Sequence, residues 1–365
     1  MTNPNVEEKQ IQLRADTYSA LKDIVPIEAE PVFDTTNQKM RVGNGTSAFK
    51  NLDGQAKDSE VYAARYNSNG LPAGRNLATV FSSEIASGVT PGGRTFTANS
   101  AWKWASARRQ DGNYEGINLW DYIPLSVSAG TVGTDNYTAR NINAYIIDID
   151  GDYNYGDDGH VVGHHIDFCA GTIGKNVKWQ VTDNNNGTAD ENIVWLTTNL
   201  YAYLNKKNNY TTNAYNSAAH GGDYSAGGYI DLLPADLQAV MREFRMYLPK
   251  RYSASGLLNQ ANAGGWCDAG KLVAFSEPQM YGSAINSYSQ NTADGGINFD
   301  NIGVWRQKQG FKIANPQKLF GRTTVWSLSA ATGVSNRACI LRNDGAATTH
   351  NCANTGISAP LAFRL

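Results

Sequence analysis

Hydrophobic residues along this chain recur mostly at every second position. Ile11 and Leu13 alternate with polar neighbours, Val32 and Phe33 open another strand, and Met40 and Val42 resume the alternation after the turn cluster Asp34 to Gln38. The pattern predicts a hairpin with a glycine-rich exit at Gly43, Asn44 and Gly45. Farther on, "ATVF", "RTFTA", "NINAYIIDIDGDYNYG", "HHIDFCAG" and "VKWQV" read as strands. Helical spacing is confined to three places. "AWKWASARRQDG" predicts a short helix with a glycine stop; "NIVWLTTNLYAYLNKK" sets Trp195, Leu196, Leu200, Tyr203 and Leu204 at helical intervals; "LLPADLQAVMREFRMYL" does the same with Leu233, Leu237, Val240, Met241 and Phe244. Pro234 suits a first helical turn and Asp236 the positive end of its dipole. A few helices among many strands predict a β-rich α+β fold.

Composition supports that class. The chain has 365 residues with 36 glycines and 19 tyrosines, and only 18% are charged. Typical proteins carry about 25% charged residues, so Asn, Ser, Thr, Gly and Tyr supply the polarity here and favour turns and extended structure. Three segments are expected: an N-terminal β module over residues 1–54, a connector or small intermediate domain over 55–113, and a large domain over 114–365. The first has too few core positions for a stable isolated monomer, which predicts burial against copies of itself.

Charge narrows the function classes. A net charge of -2 offers no basic field for phosphates, so nucleic-acid binding is excluded. No run approaches the ~18 apolar residues of a membrane span, and the N-terminal segment has no secretory pattern, so synthesis in a cytosol is expected. The four cysteines, Cys169, Cys267, Cys339 and Cys352, form no CxxC pair. Buried thiols are the favoured reading, with a Cys339–Cys352 bridge left open.

Two clusters invite metal chemistry. In "GHVVGHHIDF", His160, His164, His165 and Asp167 fall close together, but Val161 stands where a zinc protease would carry its general-base Glu. In a strand His165 and Asp167 share one face and His164 takes the other, so polar groups satisfied within a sheet are favoured over zinc. Asp148, Asp150 and Asp152 with Gly151 imitate the opening of a calcium loop that lacks its closing Glu. They are the weak candidates for calcium; no other cofactor is indicated. Glu277, Pro278 and Gln279 only partly echo a calcium-type sugar motif. There is no G-x-S-x-G elbow and no activated thiol, so nothing points to an enzyme.

Two resemblances add to this reading. Lys39, Gly43, Gly45, Thr46 and Phe49 match a "K-x-x-x-G-x-G-T-x-x-[FW]" exit, and the segment around them resembles the small N-terminal module of phage tail and fibre proteins. The phrases "LWDYIPL", "YNYGDDGHVVGHHIDF", "LPADLQAVMREFRMYLPKRY", "AGKLVAFSEPQMYGS", "VWSLSAAT" and "GISAPLAFRL" resemble, in that order, the C-type-lectin-like domains that end gut phage and prophage tail proteins. Together they resemble receptor-binding proteins of the major tropism determinant type. The resemblance implies a homotrimeric virion protein, with a β-prism-like N-terminal module joined to other tail proteins. Its C-terminal domain would recognise a glycan or protein on the bacterial host. Some relatives diversify that segment through a retroelement. A structural tail or capsid decoration protein, a formylglycine-generating-like enzyme and a depolymerase are the alternatives.

The last forty residues then become the candidate contact segment. Alternation assigns Leu328, Cys339, Ile340, Leu341 and Leu361 to Phe363 to the buried side. Trp326 belongs there by alternation and to the contact set as a planar anchor. The other expected contacts are Ser327, Ser329, Asn336, Arg337, Arg342, Asn343, Thr349, His350, Asn351 and Asn354.

Overall fold

The computed structural model describes residues 70–157, 160–185, 193–210, 221–249, 264–287, 306–331, 334 and 336–365, together with three strands nearer the N-terminus. Contacts divide the chain into Met1–Ala73 and Gly74–Leu365. In the first unit β1 (Arg14–Asp16) pairs in parallel with β2 (Pro31–Asp34), which pairs antiparallel with β3 (Lys39–Val42). Val32 lies opposite Arg41 and Phe33 opposite Met40, so the expected hairpin is present. Ile11, Leu13 and the glycine exit at Gly43 and Gly45 lie outside the described residues.

The division falls after Ala73, so most of the segment expected to be a connector sits inside the larger unit. "ATVF" is helical rather than extended: Leu77–Val80 forms a short helix because the Asn76 side chain accepts a hydrogen bond from Ala78 N at 3.0 Å and caps it. "RTFTA" contributes only a single bridge, Thr95 to Val89. The expected helix Ala101–Gln110 is there, capped by the Ser100 hydroxyl, which accepts from Lys103 N at 3.2 Å. It stops at Gly112, whose φ of 62° suits glycine. Trp102 of this helix packs edge-on against both Phe168 and Phe363, so the helix is part of the central core.

The larger unit is built on β4 (Tyr122–Val127), the small hairpin β5 (Gly130–Val132) and β6 (Asp135–Tyr137), β7 (Arg140–Ile149), the ribbon β8 (Gly156–Asp157) and β9 (His160–Val161), and β10 (Ile166–Asn176). β11 (Arg245–Pro249) pairs with β12 (Gly264–Asp268); β13 (Leu272–Val273), β14 (Val325–Ala330), β15 (Arg337–Leu341), β16 (Ala347–Asn351) and β17 (Ser358–Arg364) follow. An eight-stranded sheet runs β16-β15-β14-β17-β10-β7-β4, with β13 also on β17. Among the described residues, β14–β17 is the one parallel strand pair in it. The fold is therefore β-rich with a large mixed sheet and few helices. Every residue of β14 and of β17 is buried, because the middle of the sheet is covered on both faces.

Two sequence expectations fail here. The helix beginning near Pro234 covers only Ala235–Gln238, and Arg245–Pro249 is a strand, because the chain turns back to pair with Gly264–Asp268. The helical spacing of Met241 and Phe244 reflects burial, not helix. "VKWQV" is irregular; its Val177 and Gln180 N–H groups donate to Ile357 O and Cys352 O. Near the second expected helix, a 3-10 turn Trp195–Thr197 leads into the helix Asn199–Asn205, capped by Thr198. All four cysteines are buried. Among the described residues no helix is long and apolar enough to cross a membrane.

Candidate functional site

The candidate contact segment is the hairpin β15–β16 at one end of the sheet. Its register sets Arg337 opposite Asn351, Cys339 opposite Thr349, and Leu341 opposite Ala347. The turn closes through Arg342 N to Ala346 O and Gly345 N to Arg342 O, both 2.9 Å. Gly345 has φ of 93°, and the Asp344 carboxylate accepts from Ala346 N at 3.0 Å, so the turn residues fit the turn. The Tyr281 hydroxyl donates to Gly345 O at 3.3 Å and ties the turn to the body.

Strand alternation divides the expected contacts between two faces. Ile340, Thr348 and His350 share one face with Arg342, and with Thr324 and Asn354 they line an open cavity of about 390 Å³. Asn354 Oδ1 accepts from Gly356 N at 2.7 Å, while its amide nitrogen lies 3.5 Å from His350 Nε2. Arg342 pairs with Asp344 at 3.2 Å, both about half exposed. Such a pair contributes about 0–1 kcal/mol, so the guanidinium is readily given to a ligand. On the other face Arg337 reaches Thr349 Oγ1 at 3.4 Å, and the Asn351 amide donates to Asp183 at 3.1 Å. Asn336 and Asn343 are exposed at the two ends of β15.

Trp326, Ser327 and Ser329 are corrections. All three are buried in β14: Trp326 Nε1 donates to Val177 O at 2.6 Å and the Ser327 hydroxyl to Phe275 O at 2.8 Å. They build the support beneath the hairpin and present nothing to a ligand. Alternation misplaced the serines because β14 is covered on both sides.

Residues 11–47 match the family model described as the major tropism determinant N-terminal domain. The matched stretch holds β1, β2 and β3. A solved structure titled "Major Tropism Determinant U1 Variant" aligns over 97% of this chain and 99% of its own at 12% identity, with a TM-score of 0.14. That score is too low to carry a statement about fold. No curated protein matches the chain.

The acidic loop and the histidine cluster form a different kind of site. Lys308 Nζ lies 3.1 Å from Asp148, 2.9 Å from Asp152 and 2.8 Å from Asp167, all buried. Arg364 Nε lies 2.6 Å from Asp167; the same guanidinium also pairs with Asp152 and sits 4.5 Å over the Phe244 ring. Asp150 points elsewhere and accepts from the Tyr114 hydroxyl at 2.8 Å, His165 N at 2.7 Å and His164 Nδ1 at 2.6 Å. Asp148, Asp150 and Asp152 therefore do not converge as a calcium cage; buried cations already meet two of them.

Asp152, His165 and Asp167 do converge, with ligand-type atoms within 4.8 Å. Their donors are taken, however. Asp152 N donates to His165 Nε2 at 3.0 Å, so Nδ1 carries the proton and donates to Gly163 O at 2.9 Å. No imidazole lone pair is left for zinc. Burial raises the carboxyls, yet Lys308 and Arg364 more than offset it at Asp152, and Arg364 and Lys308 at Asp167, holding both below the usual range. Burial wins at Asp148 and pushes it up, which lets three carboxyls against two cations shed the surplus negative charge.

Sequence reasoning missed the residues that hold the hairpin. Asn185, fully buried, donates from Nδ2 to Ala331 O at 3.3 Å, Val334 O at 2.8 Å and Arg337 O. Asp183 accepts from Ala353 N at 2.8 Å as well as from Asn351. The Asn-rich run after Trp179 was the available signal.

Proposed function

We propose that the chain is a non-enzymatic phage host-tropism protein of the virion, whose larger unit, read as C-type-lectin-like, binds a receptor on a bacterial surface. The observation that carries this reading is the match of residues 11–47 to the major tropism determinant N-terminal domain. The contact face is the one bearing Arg342, His350 and Asn354, because it joins a fixed turn to an open cavity with a guanidinium, an imidazole, an amide and the Thr324 and Thr348 hydroxyls. Adaptable hydrogen-bonding groups on a rigid strand scaffold are what recognition surfaces use.

Adsorption of the purified protein to a panel of gut bacteria tests it. Arg342→Ala with His350→Ala is expected to abolish adsorption and shift unfolding by no more than ~0.5 kcal/mol, since both side chains are exposed. Arg337→Ala with Thr349→Ala, on the opposite face, is expected to leave adsorption intact. Full adsorption by the folded first variant rules out this face.

A further inference from the structure

A second cavity of about 390 Å³ lies beside the first, and one chain segment borders both: Thr355 lines the second, its neighbours Asn354 and Gly356 the first. The second is formed by Asp135 on β6, Asn176 at the end of β10, Lys178, Tyr203 on the helix Asn199–Asn205, and Tyr224. We propose that this second cavity binds a neutral, hydroxyl-rich sugar residue, with the half-buried Tyr224 ring and the Asp135 carboxylate as its principal contacts and the buried Tyr203 holding both in place.

The geometry argues for a built site. The Tyr203 and Tyr224 rings meet edge to face with centroids 5.0 Å apart. The Tyr203 hydroxyl donates to Asp135 Oδ2 at 2.9 Å and lies 2.7 Å from the Tyr137 hydroxyl. The Tyr224 hydroxyl donates to Asn199 Oδ1 at 3.0 Å, and buried Asn199 is itself fixed by donating to Lys178 O at 2.8 Å and Gln180 Oε1 at 2.9 Å. Both rings are thus immobilised before any ligand arrives, which lowers the ordering cost of binding. The volume lies within the roughly 300–1,000 Å³ range of small-molecule sites.

The chemistry selects the ligand class. Asp135 and Lys178 bring both signs of charge to one cavity, so a simple anion meets the carboxylate and a simple cation meets the ammonium. A hydroxyl suits both, donating to the carboxylate and accepting from the ammonium. The Tyr224 ring can accept the apolar C–H side of a sugar ring while the polar groups engage its edge. This proposal stands independently of the β15–β16 face, since it invokes none of Arg342, His350 or the host.

Saturation-transfer NMR on the full chain, with neutral hexoses, N-acetylhexosamines and alanine as a zwitterionic control, tests it. At least one sugar is expected to respond, alanine is not, and Asp135→Ala is expected to weaken the responding sugar about tenfold or more. Because Asp135 also holds Tyr203, Thr355→Trp serves as the second variant: it blocks the mouth from an exposed position and should give the same loss. Arg342→Ala with His350→Ala should leave the sugar response unchanged. Silence from every sugar, a response to alanine alone, or a sugar response that survives Thr355→Trp overturns the proposal.

Discussion

His165 is held neutral by its surroundings. Burial, followed by the nearby Arg364, lowers its pKa from 6.5 to about 4, and both ring nitrogens are committed to Gly163 O and Asp152 N. Between those pH values the unfolded chain takes up a proton that the folded chain refuses, so stability falls as pH falls through that window. The loss reaches about 3 kcal/mol near pH 4. Asp152 and Asp167 extend the same trend at lower pH, since their depressed values stabilise the fold above the ordinary carboxylate range; Asp148, raised, acts in the opposite sense. Urea unfolding between pH 7 and pH 4 should show the decline, and His165→Gln should flatten it. An unchanged slope in that variant would assign the pH dependence elsewhere. At this scale the sequence was half legible. Period two placed His165 and Asp167 together and His164 apart, as found, but Lys308 is 141 positions from Asp167, and no local pattern joins them.

The hairpin β15–β16 is an element that does not hold itself. Residues 177–185 clamp it to β14: Trp179 Nε1 donates to Ser327 O of β14 at 3.0 Å, Gln180 N to Cys352 O just past β16 at 3.0 Å, and Asn185 serves Ala331 O and Val334 O between β14 and β15 and Arg337 O of β15. The alternation of Val177, Trp179 and Val181 reads as a strand, but the segment is irregular: Val177, Trp179 and Gln180 are buried and Val181 is not, because the chain is held by tethers rather than by a ladder. Where a strand had real neighbours, as in β7 and β10, the same pattern was right. Asn185→Ala withdraws the shared donor from buried carbonyls and should cost about 1–3 kcal/mol. Hydrogen exchange localises the effect: amides of β15 should exchange faster, while those of β7 and β10 keep their protection. Uniform acceleration across the sheet would mean the clamp belongs to the global core instead.

For the whole molecule, the N-terminal module poses the question of size. Its sequence offers few core positions over about fifty residues, and a module that small is marginal as an isolated monomer. We propose a homotrimer, in which copies of the chain supply the missing burial. Light scattering is expected to give three times the chain mass of 39.6 kDa, independent of micromolar concentration. A chain beginning at Gly74, where the contact division falls, should behave as a monomer. In such a trimer three receptor faces would act through effective concentration, which multiplies a weak single-site affinity by ~10²–10⁴. The shortened chain should therefore lose about that factor in adsorption to host cells while its unfolding midpoint stays put. A monomeric full-length chain that adsorbs as tightly as the shortened one would end the trimer proposal and leave the single binding face to account for host recognition alone.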